Sequence, residues 1–442
     1  MWRRGFPGGT HPHYHKDLSS GKAIEELAAP EEAVIPLHQH TGAPSEPIVK
    51  VGDRVRVGTK IGEAAGAISV PTHSSIAGEV KKIEPRPHPL GANILSVVIA
   101  NDGSDEEEEK AVLKPAAEQT REEMIGAIKE AGIVGLGGAA FPTFFKLSPP
   151  KDYPVDTVIL NGAECEPYLT ADHRLMLEHA EEIVQGGKII MKVLDARQGF
   201  IAIEENKPDA IALMEKLVAG GNGFRVAEMP ERYPQGAEKQ LIKALLRREV
   251  PCGGLPFHVG TLVQNVGTAL AIYEAVTEGR PLTRRVATVT GSAVAEPKNL
   301  MVRIGTPVAQ LIEACGGYRG EVGKLIVGGP MMGLAQFTDE VPVIKGTSGI
   351  LVLTEEEAVV PDPEPCIRCA RCVDTCPMRL VPCTIQDYVE YGLLDEATDW
   401  GLMDCIECGC CAFVCPARRR LVGFFKYGKA LVMERRKKSA AS

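Results

Sequence analysis

Between Cys366 and Pro416 the chain writes one cysteine pattern twice. Cys366, Cys369, Cys372 and Cys376 precede Pro377, and Cys405, Cys408, Cys411 and Cys415 precede Pro416. Both copies read C-x2-C-x2-C-x3-C-P, and the second follows the first at a constant offset of 39 residues. Three cysteines spaced in this way on a tight turn reach three irons of one cubane, while the fourth lies beyond its reach. That is the spacing of two [4Fe–4S] clusters, whereas zinc takes shorter ligand sets and a cytosolic chain does not keep so many disulfides. Such a segment must fold around its inorganic core. It conducts single electrons and leaves the reaction to the rest of the chain.

The pattern resembles that of bacterial two-cluster ferredoxins, in which the fourth cysteine of each copy caps the other cubane. The resemblance gives the sets Cys366, Cys369, Cys372 with Cys415, and Cys405, Cys408, Cys411 with Cys376. Five further cysteines, Cys165, Cys252, Cys315, Cys383 and Cys410, share no spacing, which fits a reducing compartment. Cys410, between two ligands, reads as a filler thiol beside a cluster.

At 442 residues the chain has room for three or four domains, and its 46 glycines and 32 prolines favour turns and β structure over long helical bundles. A net charge of −9 gives no support to nonspecific nucleic-acid binding. No run of about 18 apolar residues is present to span a bilayer. The opening Met-Trp-Arg-Arg-Gly-Phe-Pro lacks the apolar stretch of a signal peptide, so a cytoplasmic location is expected.

Along the chain, residues 1 to about 30 are polar, with His11, His13 and His15 close together; solvated side chains or packing on a neighbour are the plainer reading, a metal site the sharper one. Val49 to Gly58 alternates apolar and polar as a half-buried strand does. With Val70 to Val80 it resembles a lipoyl-type barrel-sandwich domain. Its tip carries Ser74 and Ser75 in place of a lysine, so a docking module is expected, not a swinging arm. The acidic run Asp105 to Glu109 reads as a solvated linker. Arg121 to Ala131 follows as an amphipathic helix and Thr157 to Asn161 as a buried strand. Lys188–Met191 and Phe200–Ile203 suggest further strands or buried segments. Strands alternating with helices predict a mostly parallel sheet with ligands at its C-terminal edge. From 286 to 350, strands at Val286, Leu325 and Gly349 surround one helix, Val308 to Ala314. Pro361 to Pro365 is a stiff linker, and Arg435 to Lys438 belongs to a basic tail expected to be mobile.

Gly135-x-Gly137-Gly138 offers backbone N–H groups to an anion but does not match the dinucleotide fingerprint. Its context carries more. The stretch Gly135 to Thr143 with Lys146, then Asn161-Gly-Ala-Glu164-Cys-Glu166-Pro167, Asp172-His-Arg174, Tyr233-Pro-Gln-Gly236-Ala-Glu238 and Gln264-Asn265-Val-Gly-Thr268 resemble, in order, the NADH-binding flavoprotein subunit of respiratory complex I. The N-terminal histidines, Gly42 to Pro47, Asn161 to Tyr168, Tyr233 to Ile242, Gly253 to Pro256, Gly328 to Gly333 and the doubled cysteine motif are together similar to the C subunits of the Rnf ion-translocating ferredoxin:NAD⁺ oxidoreductases.

The resemblance covers essentially the whole chain. It implies a multidomain α/β and α+β protein: an N-terminal segment and barrel-sandwich domain (1–104), a Rossmann-like FMN and NAD(H) domain (115–285), an SLBB β-grasp domain (286–355), a helical two-[4Fe–4S] ferredoxin-like domain (362–425) and the tail (426–442). It implies FMN contacts from Gly135, Gly137, Gly138, Lys146, Asn161, Glu164, Tyr233, Gly236, Gln264, Asn265 and Thr268, and nicotinamide contacts from Phe141, Glu166 and Glu238. Ala163 and Ala237 stand where complex I has acids.

The implied reaction is hydride exchange between NAD(H) and FMN, followed by single-electron exchange with the clusters. No side chain is needed as nucleophile or base. The implied setting is the cytoplasmic face of the cell membrane. There the partners are membrane subunits and an iron–sulfur B subunit, with ferredoxin reached indirectly and ferredoxin:NAD⁺ electron transfer coupled to ion translocation. Two alternatives are a cobalamin reductase of bacterial microcompartments, in which the flavin domain opens the chain, and a flavin-free electron-transfer and docking subunit.

Overall fold

A computed structural model describes residues 5–109, 113–221 and 223–441. The opening Met1–Arg4, part of the stretch read for a signal peptide, therefore lies outside the described residues.

The centre of the molecule is a four-stranded, wholly parallel sheet. Strand Phe224–Met229 lies beside Gln198–Glu204, then Thr157–Gly162, then Thr261–Asn265. The inner strands Thr157–Gly162 and Gln198–Glu204 are buried almost throughout because both faces are covered, as in doubly wound folds. One face packs on helices Arg121–Glu130, Ala171–Glu178, Ala180–Leu194, Pro208–Val218 and Val266–Glu278 through a core that includes Met124, Leu160, Ile190, Ile203 and Ile272. The other carries Glu238–Leu246 over Ile159, Ala202 and Val263. Helix Arg121–Glu130 begins at a capping box, with Thr120 Oγ1 accepting from Glu123 N–H and the Glu123 carboxylate accepting from Thr120 N–H. Lys188–Met191 falls inside helix Ala180–Leu194, not in a strand. Four apolar-rich residues do not separate the two periods, but Ile183, Val184, Ile190 and Val193 recur at helical spacing and are buried.

The N-terminal barrel pairs Glu32–Pro36 with Asn93–Asn101, Asn93–Asn101 with Gly78–Pro87, and Gly78–Pro87 with Arg54–Val55. A small sheet of Glu46–Pro47, Lys60–Glu63 and Thr72–His73 completes it. The strand expected over Val49–Gly58 shrinks to Arg54–Val55. Asp53 accepts from Lys50 N–H at 2.9 Å and Gly52 sits at φ +93°, so local turn bonds displace the ladder. Ser74 and Ser75 are fully buried. Ser75 Oγ donates to Ile304 O, and Ser75 O accepts from Arg303 Nη1 at 2.8 Å, so the tip docks on the chain's own third unit.

That unit is a six-stranded sheet in the order Ile24–Glu26, Lys298–Arg303, Arg284–Thr290, Gly349–Thr354, Val322–Val327 and Leu334–Gln336, with helix Val308–Ala314 against it. Its edge strand comes from the N-terminal segment. Ile24 to Glu26 run parallel to Asn299 to Met301 instead of joining the barrel they precede.

The acidic run and the basic tail both make contacts with the rest of the chain. The acidic run is exposed, yet Val57 N–H donates to Glu106 O and Glu108 N–H to Val57 O, while Asp105 pairs with Arg303 at 2.7 Å. The basic tail is the end of one helix, Leu421–Ala441. Phe425 and Val432 bury one stripe of it on Ile385, Val389, Ala397 and Leu402, and each such side chain contributes about 1.5–3 kcal/mol. No division falls at residue 426. Among the described residues no helix is long and apolar enough to cross a membrane.

Candidate functional site

The sheet order reverses between Thr157–Gly162 and Thr261–Asn265, and there Asn161 lies directly opposite Asn265. Ligands of open α/β sheets settle at such a switch point, beyond the strand C-termini. The glycine loop stands over it. Asn265 caps helix Val266–Glu278, its Oδ1 accepting from Gly267 N–H at 2.8 Å and Thr268 N–H at 3.3 Å. Thr268 Oγ1 in turn accepts from Leu136 N–H at 2.9 Å, tying the loop to this helix start. A Cβ on Gly137 would meet Asn265 at an ordinary contact distance of 3.4 Å, whereas Gly138, at φ +109°, faces open space. Among the described residues the N–H groups of Gly137 and Gly138 have no hydrogen-bond partner within the chain. Gln264, 2% exposed, leaves its Nε2 unpartnered at the same strand end. Unspent donors at a helix start fit the phosphate and polar edge of a flavin nucleotide.

The remaining residues divide. Asn161 Nδ2 donates to Gly236 O at 2.8 Å, and Gly236 N–H contacts Cys165 Sγ at 3.3 Å, joining the 161–166 and 233–236 loops. Lys146 Nζ donates to Glu238 at 2.7 Å and to Val263 O at 2.7 Å. Glu164 spends both carboxylate oxygens on the start of helix Ala171–Glu178, accepting from Asp172 N–H at 2.7 Å and His173 N–H at 3.1 Å. Burial and the neighbouring Glu164 push the Asp172 carboxyl up, against its bond from Asn265 Nδ2 at 2.6 Å.

The three nicotinamide candidates do not share one set of contacts. Phe141 packs edge-on against Phe145 at 5.7 Å, Glu238 pairs with Lys146, and Glu166 faces the 329–331 loop and Tyr233. Glu166 accepts from Met331 N–H at 3.2 Å, and burial lifts its carboxyl to about 7.

Cysteines from both copies of the motif meet at one cavity. Cys376 lines one cavity together with Cys405, Cys408 and Cys411. Cys372 lies within electrostatic reach of Cys415 and Cys383. Among the described residues no three His, Cys, Asp or Glu side chains close on a single-ion point, and the five thiols around the shared cavity, Cys410 among them, suit a larger cluster. Cys376, Cys408 and Cys411 are buried, while Cys369 is exposed. Cys410 is fully buried and packs with Cys408 and Tyr233, beside Cys165 and Met331.

Sequence reasoning missed the N-terminal arm. Lys16 Nζ donates to the carbonyls of Glu164 at 2.8 Å, Glu166 at 3.0 Å and Leu169 at 2.5 Å. His15 stacks on Tyr168 at 4.6 Å, and Gly9 N–H donates to Thr375 O at 2.7 Å. The segment is thus packed against the site loop through His15 and Lys16, while His11 and His13 stay exposed. The only signal was the pair Gly8-Gly9, which says that something comes close without saying what.

Four family models match in order: the RnfC barrel sandwich hybrid domain over residues 4–104, the Nuo51 FMN-binding domain over 128–274, the SLBB domain over 286–335 and the 4Fe-4S dicluster domain over 358–416. The C subunit of the Na(+)-translocating ferredoxin:NAD(+) oxidoreductase complex of Acetobacterium woodii is 47% identical, over 98% of each chain. The proton-translocating counterpart of Clostridium ljungdahlii is 46% identical, over 97% of this chain and 94% of its own. The C subunit of the ion-translocating oxidoreductase complex of Rhodobacter capsulatus is 42% identical, over 97% and 83%. An NAD+-reducing [NiFe]-hydrogenase structure shares the fold at a TM-score of 0.50 and 19% identity, over 67% of this chain and 60% of its own. The domain order, the site loops and near full-length identity agree, and the chain belongs to the RnfC family, the C subunits of ion-translocating oxidoreductase complexes.

Proposed function

We propose that this chain is the NAD(H)-handling subunit of such a complex, taking or giving hydride at the sheet's switch point and single electrons at the cysteine cavity. The observation that carries this is the Tyr233–Gly236 loop. On one side Gly236 O is held by Asn161, at the glycine-loop site. On the other, Tyr233 packs on Cys408 and Cys410, at the cavity of the second cysteine set. One short loop therefore separates the two sites.

FMN, when bound, exchanges hydride with NAD(H) and passes electrons on one at a time. The chain's own groups do the rest. Gly137 and Gly138 N–H would hold the phosphate; Asn161, Gln264, Asn265 and Thr268 would fix the flavin's polar edge, with Gly135, Gly236, Lys146, Glu164 and Tyr233 supporting them. Phe141, Glu166 and Glu238 would orient nicotinamide. The set Cys376, Cys405, Cys408 and Cys411 would hold the cluster nearer the flavin, and Cys366, Cys369, Cys372 and Cys415 the one nearer the surface. The set that includes the exposed Cys369 suits a partner iron–sulfur protein on the cytoplasmic face of the membrane, itself fed by ferredoxin.

The test is spectroscopic. Anaerobically prepared protein reconstituted with FMN is expected to show a flavin band that NADH bleaches, above broad cluster absorption. Clusters without a bleachable flavin would overturn the reading.

A further inference from the structure

We propose that the SLBB unit supplies the counter-charge for the FMN phosphate through two buried cations, Arg285 and Lys345, which brace the glycine loop from behind. This rests on the reading of Gly135–Gly138 as the phosphate cradle and adds what that cradle lacks. From Gly135 to Pro142 the loop carries no charged side chain. The nearby Lys146 is already committed to Glu238 and Val263 O. Backbone N–H groups and a helix start give partial positive charge only.

Arg285 is 6% exposed and Lys345 1%. Arg285 Nη2 donates to Leu136 O at 3.3 Å, and its Nη1 donates to Lys345 O. Lys345 Nζ donates to Gly132 O at 2.8 Å and to Pro71 O at 3.1 Å. The next residue, Gly346, lies against the loop itself, its Cβ position 3.6 Å from Gly138 O. Leu136 is thus pinned on both sides, its N–H by Thr268 and its C=O by Arg285. In a planar trans peptide the C=O and the following N–H point in opposite directions. Holding Leu136 O toward Arg285 therefore aims Gly137 N–H away from it, toward the open side of the loop.

Neither cation is neutralised by a close acid. Burial alone drives the Lys345 amine down to about 7. The acid acting on Arg285 is Asp172, which is itself pushed toward its neutral form. Below about pH 7 the free chain carries two buried, uncompensated cations at a cost, and above it Lys345 gives up its proton. An anion on the far side of the loop offsets the cost and favours the charged amine.

The test compares FMN with riboflavin, which lacks the phosphate, on the full chain with clusters assembled and flavin removed. Arg285→Met and Lys345→Gln are each expected to weaken FMN about ten- to a hundredfold while leaving riboflavin affinity within about twofold. Lys345→Gln keeps a donor for Gly132 O and so guards against simple loss of folding, and Arg285→Lys is expected to restore part of the FMN affinity. Equal weakening of both flavins, or of neither, overturns the proposal. If the unaltered chain prefers FMN no more than riboflavin, the cradle reading itself fails; if it prefers FMN and the variants keep that preference, only the present inference does.

Discussion

Gly9 and Thr375 exchange two hydrogen bonds across 366 residues of sequence. Gly9 N–H donates to Thr375 O at 2.7 Å, and Thr375 Oγ1 donates to Gly9 O at 2.8 Å. Thr375 immediately precedes the cluster cysteine Cys376, so the N-terminal arm holds a ligand loop in place. At Gly8, with φ +68°, a Cβ would lie 2.5 Å from Thr375 O and 2.6 Å from the Cys376 carbonyl. Gly8→Ala is expected to cost roughly 2 kcal/mol, from backbone strain and this clash together. It is expected to lower iron content toward one cluster per chain. Full iron content at an unchanged melting temperature would dismiss this role for the arm.

The two cysteine sets make different predictions for electron flow. Cys369→Ser disables the exposed cluster and is expected to leave NADH bleaching of the flavin intact while slowing reduction of an external one-electron acceptor. Cys376→Ser is expected to remove the cluster of Cys405, Cys408 and Cys411, not that of its own copy. Distinct cluster signals in electron paramagnetic resonance read this out, and loss of the same signal in both variants would contradict the crossed sets.

At the flavin cradle, Gly138→Val places a branched side chain at φ +109° in the space left open beside the unspent N–H groups. FMN occupancy is expected to fall at least tenfold with iron unchanged, the backbone strain adding about 1 kcal/mol or more. Lys146→Ala is expected to lower occupancy less, because that amine acts through Glu238 and Val263 O. Loss of iron with flavin retained would show that the two sites are misassigned.

Lys345 gives the flavin-free chain a specific pH dependence. Its amine titrates near 7 when folded, against an ordinary value of 10.5. Below pH 7 it is charged in both states and the burial cost is constant; above about 10.5 it is neutral in both. Between these limits the unfolded chain binds the extra proton, so folding stability rises with pH by at most about 1.4 kcal/mol per unit. His40 and His73 face it from the barrel, but burial and Lys345 hold them down to about 4 and about 3, so they stay neutral throughout this window. Denaturation of the unaltered chain and of Lys345→Gln at pH 6.5, 7.5 and 8.5 checks this. Parallel curves would show that the amine does not titrate there.

What the sequence made legible was local. The doubled cysteine spacing is set by the size of a cubane, and Asn161 and Asn265 each sit at the strand end that positions them. Val308–Ala314 is readable as a helix for the same reason. What stayed hidden depends on distant pairing. Nothing near Ile24 says that its edge partner is Asn299, and no periodicity marks Arg285 as the arginine turned inward while Arg284 pairs with Glu274 and Glu26. The tail reads as mobile because its charges are consecutive, whereas Phe425 and Val432, which fix it, are seven residues apart.

The arm's partners also set an order of assembly. Ile24–Glu26 can pair only after residues near 300 have emerged from the ribosome, and Gly9 only after residue 375. Residues 9 to 26 are therefore among the last to close, because long-range contacts repay their loop-closure entropy late. Until then the Cys376 loop is untethered, so cluster insertion has a window before the chain's beginning latches over its end.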